Sequence, residues 1–234
     1  KISDMCKALF KNDQAMTVVV SIILVYTSLN ICGNLVLYFF RFDVGNEGAY
    51  SIFAAVAFAA QVLVMMVIPL FRKRFSKSQL FISGFIIQIA GFAVILIMAF
   101  AKLYTPQSWY ILCLPGILIY LGYGMLNVIM TIFLSDSVDY GEVMNGTREE
   151  SVIFSMQTFT VKLASGVAVF LAGLVVDLIH LDTAAAVQTQ DTLDALRMWM
   201  TIPSVILLIV GIFIFKRFYK LDDTRMEEIK SKLN

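Results

Sequence analysis

Six stretches of this chain are long and apolar enough to cross a lipid bilayer, and no other feature narrows its fold as far. A hydrocarbon layer about 30 Å thick takes roughly 20 mostly apolar residues in a helix rising about 1.5 Å per residue. Stretches of that length cover residues 17–40, 49–71, 79–101, 109–134, 152–176 and 198–218. Inside lipid no water satisfies exposed peptide groups, so spans of this length close their hydrogen bonds as helices. Composition agrees. Hydrophobic residues make up 59%, mean hydropathy is +0.83 and charged residues are 15%, against about 25% in soluble domains. The expected fold class is an all-α membrane protein, a six-transmembrane-helix bundle over residues 14–220.

A formal net charge of +1 identifies no partner, but the placement of Lys and Arg predicts an orientation. Lys1, Lys7 and Lys11 precede the first stretch, and Arg72, Lys73, Arg74 and Lys77 follow the second. Arg148 lies between the fourth and fifth, and Lys216, Arg217, Lys220, Arg225, Lys230 and Lys232 follow the sixth. The alternate loops hold only Arg41, Lys102 and Arg197. By the positive-inside rule both ends are expected in the cytoplasm, in a multi-pass protein of the cell (inner) membrane. Residues 1–13 then read as the end of a cytoplasmic linker and 221–234 as a cytoplasmic tail. In the linker, Ile2, Met5, Cys6, Leu9 and Phe10 recur at helical spacing, the pattern of a short interfacial helix. No cleavable signal peptide is visible and the chain starts at a lysine, so a segment of a longer protein is expected. Cys6, Cys32 and Cys113 have neither the spacing of a zinc site nor the setting of a disulfide framework.

Polar residues are shared unevenly among the six stretches. The third and sixth are the plainest and are expected at the lipid boundary. The first carries Asn30, Asn34 and Tyr38, and the fourth Tyr120, Tyr123 and Asn127, all candidates to line a cavity. Polar first and fourth stretches beside lipid-like third and sixth ones suggest two three-helix repeats of opposite topology.

The fifth stretch holds Lys162, the only ionisable residue between Glu150 and Asp177. A lysine in hydrocarbon costs several kcal/mol on most scales, so such residues usually face a water-filled pathway. Lys162 lies about 16 Å inside Ser151 along a helix, near the bilayer midplane and too deep to snorkel out. At about 100° per residue, Gln157, Thr158, Val161, Lys162 and Ser165 fall within an arc of about 140°. One face thus presents an amide, two hydroxyls and an ammonium, a set of donors and acceptors suited to a polyol.

Between the fourth and fifth stretches, the segment from Ser135 to Glu150 reads as a loop rich in charge. Asp136, Asp139, Glu142, Arg148 and Glu149 are expected to cap helices and form a network that closes the cytoplasmic mouth, as a gate. These acids lack the alternation and glycine of a calcium loop, and no histidine is near, so no metal site is expected. The sole histidine, His180, reads as a solvated loop residue. No nucleophile–base motif, HExxH or phosphate-binding glycine loop occurs, so neither an enzyme nor a resident cofactor is expected. Membrane lipid is an expected partner; nucleic acid is not.

The segment from Ser135 to Gly173 also carries a pattern: Asp-x-Val-Asp-Tyr-Gly-Glu, then Asn-Gly-Thr-Arg-Glu-Glu, then Ser-x-Gln-Thr-x-x-Val-Lys. It resembles the glycoside-pentoside-hexuronide (GPH):cation symporters, the group of the melibiose carrier, in the major facilitator superfamily. Leu-Tyr-Phe-Phe-Arg-Phe at Leu37 to Phe42 and the basic run from Phe71 to Lys77 add to the likeness. The resemblance implies that the chain is the carboxy-terminal half of such a carrier, whose partner would be an amino-terminal six-helix bundle. It further implies a sugar or glycoside substrate, alternating access, and Gln157, Thr158, Val161 and Lys162 at the sugar site. The coupling cation, sodium or proton, would bind mainly in the other half, whose acids would exchange charge with Lys162. The competing expectation is a self-standing six-span channel or facilitator without cation coupling.

Overall fold

The computed structural model describes residues 11–233, and the ordered elements among them are all helical. Helix α1 covers Asp13–Tyr38 and continues through a π-turn at Phe39–Asp43. Helices α2 (Ala49–Phe71) and α3 (Lys77–Phe100) follow, and a 3-10 turn at Trp109–Leu112 leads into α4 (Cys113–Asn145). Then come α5 (Glu150–Leu178), α6 (Gln190–Phe218) and the short α7 (Asp223–Leu233). Helices α1 to α6 are each long and apolar enough to cross a membrane. The short interfacial helix expected at Ile2, Met5, Cys6, Leu9 and Phe10 lies outside the described residues.

Helix α2 has the bounds read from the apolar pattern, 49–71. Helices α1, α3 and α6 start ahead of their apolar stretches, because capping residues, not hydropathy, set their first turns. The Asn12 side chain accepts from the Ala15 N–H at the head of α1. Ser76 and Gln79 form a capping box on α3, and Thr189 caps α6. Such caps satisfy donors that a helix start leaves without partners.

Helix α4 departs furthest from expectation: residues 135–145 are helix, not loop, and the turn comes at Gly146, whose φ is 72°. Polar residues continue this helix because they are satisfied within it or buried. The Ser137 hydroxyl donates back to the Phe133 carbonyl (2.7 Å), and the Ser137 carbonyl accepts from the buried Asn12 amide (2.8 Å). The tail expected at 221–234 is likewise ordered through α7. Its Leu221, Met226 and Ile229 bury against Tyr140 of α4 and Tyr219. Gln14 of α1 joins the same end of the bundle to α6, accepting from the Lys220 N–H (2.8 Å) and donating to the Phe218 carbonyl (3.3 Å). Both ends of the described chain therefore lie on one side of the bundle, called here the terminal side; the other is the distal side.

Burial repeats with a period of three helices. Of their apolar stretches, α1 and α4 bury 61% and 56%, α2 and α5 22% and 28%, α3 and α6 44% and 33%. Equivalent helices run in opposite directions, as in an inverted repeat. Helices α3 and α6 do present apolar outer faces, with Ile86, Ile97, Ile209 and Phe213 exposed. The least covered helices, however, are α2 and α5.

Close approach of α3 and α4 depends on glycine. A Cβ on Gly122 would stand 2.5 Å from the Gly84 carbonyl oxygen, and one on Gly91 would stand 2.7 Å from the Ile119 nitrogen. Small residues at such crossings let backbones pack where no hydrophobic force separates helix from lipid. Gly122→Val should therefore destabilise the detergent-solubilised protein by about 1–3 kcal/mol. Gly166→Val, at a site with nothing within 4 Å, should leave the thermal midpoint almost unchanged. Equal midpoints for both variants would contradict this packing.

Candidate functional site

Helix α5 has two unlike faces. Ile153, Thr160, Ala164, Ala168, Ala172 and Val175 are buried, and the helix packs mainly on α1. Small residues dominate that seam, so the helices come close and the long polar side chains are left on the outer arc. There Thr158 and Lys162 are exposed, and Gln157, Val161 and Ser165 are half-buried. Thr158 and Lys162 thus look away from the bundle, and Gln157, Val161 and Ser165 border the seam with α1. The Thr158 hydroxyl is engaged only weakly, donating to the Phe154 carbonyl at 3.3 Å. Among the described residues Lys162 makes no ion pair.

Helix α1 supplies a second polar edge. Its Asn30 amide donates to the Tyr26 carbonyl and its Asn34 amide to the Asn30 carbonyl, each at 2.7 Å. These local bonds hold both side chains along the helix and leave their Oδ1 atoms as acceptors. On α4, Asn127 donates to the Tyr26 hydroxyl (2.5 Å). Tyr26 meets Tyr123 edge-on at 5.4 Å between ring centres, and Tyr123 meets Tyr120 at 6.5 Å. The predicted residues Tyr120, Tyr123 and Asn127 therefore come together around Tyr26. Tyr26 is a polar aromatic residue four positions before Asn30, and that spacing was the available signal for it.

Nearer the distal side, Asn34 and Tyr38 of α1 and Val169, Ala172, Gly173, Val176 and Asp177 of α5 line an open cavity of about 380 Å³. Lys162 does not line it. Asn34 and Tyr38 are thus brought to α5, but about two to four helical turns beyond the lysine.

The charged segment around Arg148 separates into two clusters. Arg148 pairs with Asp139 (3.0 Å), Glu142 (2.9 Å) and Glu150 (3.1 Å) at the exposed α4–α5 turn. Its hydrogen bonds to Glu142, Glu150 and Asp139 push its pKa further up, so the guanidinium stays charged. Two of the acids grouped with it by sequence lie elsewhere. Asp136 is buried and pairs with Lys77 at the head of α3, because position 136 faces inward on the extended α4. Glu149 accepts from the Thr147 hydroxyl (3.2 Å), and Glu150 takes the place beside Arg148.

The Lys77–Asp136 pair extends to α7. Asp223 accepts from Arg72 (3.2 Å) and lies 3.5 Å from the Lys77 ammonium. Partial burial opposes ionisation of Asp223, but the Arg72 hydrogen bond and charge, reinforced by Lys77, hold its carboxyl below the usual range. A depressed folded-state pKa gives stability that is present above the unfolded value, about 3.9, and lost as pH falls through the folded one. A fluorophore at Ser231 should therefore become more mobile below about pH 4. Asp223→Asn should raise its mobility at neutral pH already and flatten the acid response; an unchanged anisotropy profile would exclude the clip.

A third cluster was not anticipated. Arg197 grips Asp43 through two hydrogen bonds, Nε to Oδ2 at 2.7 Å and Nη2 to Oδ1 at 2.6 Å, and also reaches Asp194 at 2.7 Å. The Tyr104 hydroxyl donates to the same Asp43 carboxylate (2.8 Å). Burial, then the charge of Asp43, pushes the Tyr104 pKa up, which keeps this phenol a donor. Arg197, counted in sequence among loop cations, is buried inside α6, which begins at Gln190. This clamp ties the π-turn of α1 to α6 and to the α3–α4 connection. Asp43→Ala should destabilise the fold by about 3–5 kcal/mol, since it strands a buried guanidinium. Thermal unfolding in detergent checks this, and a loss below 1 kcal/mol would show the clamp to be solvated.

A chain with six such helices and no strand among its described residues is a multi-pass α-helical membrane protein. A family model described as MFS/sugar transport protein matches residues 1–223, and the chain belongs to that family. It is 25% identical over 233 residues to an uncharacterized symporter of Bacillus subtilis, covering 100% of this chain and 49% of the relative. It is 26% identical over 219 residues to the isoprimeverose transporter of Lactiplantibacillus pentosus, covering 92% and 43%. To the raffinose carrier protein of Pediococcus pentosaceus it is 22% identical over 234 residues, covering 99% and 35%. The chain thus spans half or less of the length of these relatives.

Proposed function

We propose that this chain is the carboxy-terminal six-helix half of a cation-coupled sugar or glycoside symporter that works by alternating access. The observation that carries the reading is Lys162: an exposed ammonium about 18 Å from the start of α5 and about 24 Å from its end. It lies on an arc with Gln157 and Thr158, and no carboxylate of the described residues pairs with it. A charge at that depth needs water, a substrate or an acid from a second bundle. Two further features support it. Relatives named as sugar carriers are two to three times as long, and α2 and α5 are the helices left most open for another bundle to cover.

On this reading Lys162 contacts the sugar or exchanges charge with acids of the amino-terminal bundle. Gln157 and Thr158 hydrogen-bond sugar hydroxyls, and Val161 packs beside them. Asn30 and the Tyr120, Tyr123 and Asn127 group line the path. The Arg148 network with Asp139 and Glu142 helps to close the terminal side, which the loop charges assign to the cytoplasm. The coupling cation, sodium or proton, binds mainly in the other bundle. The membrane is the cell (inner) membrane.

The experiment is uptake by the full carrier of labelled raffinose, isoprimeverose and lactose, each under an imposed sodium or proton gradient. The parent should accumulate at least one of them uphill, and Lys162→Ala should lower accumulation by about 10- to 100-fold, as expected for loss of a charged hydrogen bond. Undiminished accumulation would remove Lys162 from the site. Equilibration that ignores both gradients would mark a facilitator.

A further inference from the structure

The 380 Å³ cavity between α1 and α5 is not the Lys162 site, and its lining has a chemistry of its own. Its volume lies within the roughly 300–1,000 Å³ range of small-molecule sites. A metal-ion site is far smaller, with oxygen ligands at about 2.3–2.6 Å around a calcium ion. Three polar groups converge on it with hydrogen-bonding capacity unspent. Asn34 uses its amide N–H on the Asn30 carbonyl, which leaves Oδ1 free to accept. Among the described residues the Tyr38 hydroxyl and the Asp177 carboxylate have no side-chain partner. Its α5 wall is open at Gly173, where a Cβ would meet nothing within 4 Å.

The aromatic edge is held in place. Tyr38 stacks on Phe42 with ring centres 6.5 Å apart and planes 9° from parallel. Both flank the start of the π-turn, whose far end is Asp43 in the grip of Arg197 and Tyr104. Such π-turns inside helices often mark functional positions. A rigid ring beside an amide oxygen and a carboxylate suits a pyranoside: hydroxyls donate to the oxygens while the apolar ring face lies on the aromatic.

The cavity also shares the Lys162 face of α5. Val169, Gly173, Val176 and Asp177 lie within about 60° of the Lys162 direction, and Asp177 is about 22 Å further along the helix. We propose that Asn34, Tyr38 and Asp177 form a distal subsite that binds a glycoside or free sugar before it reaches Lys162. This rests on the transport reading above, in which the distal side faces the medium.

Two measurements on the full carrier separate the subsite from that reading. In Gly173→Cys, or Val169→Cys if the first does not insert, the rate of modification by a hydrophilic maleimide reports occupancy of the cavity. The parent serves as blank for Cys6, Cys32 and Cys113. Raffinose, lactose or isoprimeverose at millimolar concentration should slow modification several-fold, where potassium chloride of equal osmolarity does not. Adding Asp177→Asn should raise the half-protecting sugar concentration about tenfold, and Tyr38→Ala should do at least as much. No protection by any of the three sugars, or protection indifferent to both substitutions, overturns the subsite. Uptake of the same sugars by the parent is scored separately. Uptake without protection sinks the subsite alone, protection without uptake sinks the transport reading alone, and the absence of both sinks both.

Discussion

Hydrocarbon offers peptide groups no hydrogen bonds, and the rest of this structure depends on that. It forces the chain into helices and then governs what each helix does with its polar side chains. Most are satisfied locally. Thr17, Ser21, Ser137 and Thr201 all bond carbonyls four residues back on their own helix. Others cross between helices: the Ser28 and Ser204 hydroxyls exchange bonds with each other's carbonyls (3.1 and 2.8 Å), fastening α1 to α6 in the core. Gln88 is among the exceptions, fully buried on α3 with neither amide atom partnered, as is the buried Thr27 hydroxyl of α1. Gln88 lies against Gly122, where the two backbones are closest.

Charge is placed by the same rule. Full charges are tolerated where they are paired, and the two buried ion-pair clusters lie at opposite ends of the bundle. Lys77, Asp136 and Asp223 join the head of α3, the end of α4 and α7 on the terminal side. Asp43, Arg197 and Tyr104 join the end of α1, the start of α6 and the α3–α4 connection on the distal side. The middle of the bundle is left to apolar contacts and hydroxyl bonds. Lys162 alone puts a charge at mid-depth, and it does so on the face that the bundle does not cover.

The six spans and the α5 arc were legible in sequence because both rest on local periodicity. Length and hydropathy locate a span, and the 3.6-residue repeat sets Gln157, Thr158, Val161, Lys162 and Ser165 on one side. What escaped depends on contacts distant along the chain. Asp136 and Asp139 look alike in a row of acids, yet one turns inward to Lys77, 59 residues away, and the other outward to Arg148. Arg197 looks like a loop cation until Asp43, 154 residues away, is seen to hold it. Helix ends were blurred for a related reason. Residues such as Ser135 to Asn145 are polar enough to read as loop, but an interior partner for Asp136 and Ser137 keeps them helical.

The division of labour among helices follows from the burial pattern. Helices α1 and α4 are the most covered, at equivalent places three helices apart. Helix α5 rests on α1 through alanines and Thr160, a seam with few large side chains to interlock. Such a seam holds a helix by close contact while leaving its outer arc free to change partners. The cavity at Gly173 lies along that seam, beside the point where α1 turns into its π-turn. A ligand that settles between Tyr38 and Asp177 bridges α1 and α5 directly. Lys162 at mid-depth and the cavity at Gly173 thus lie along one continuous strip of α5.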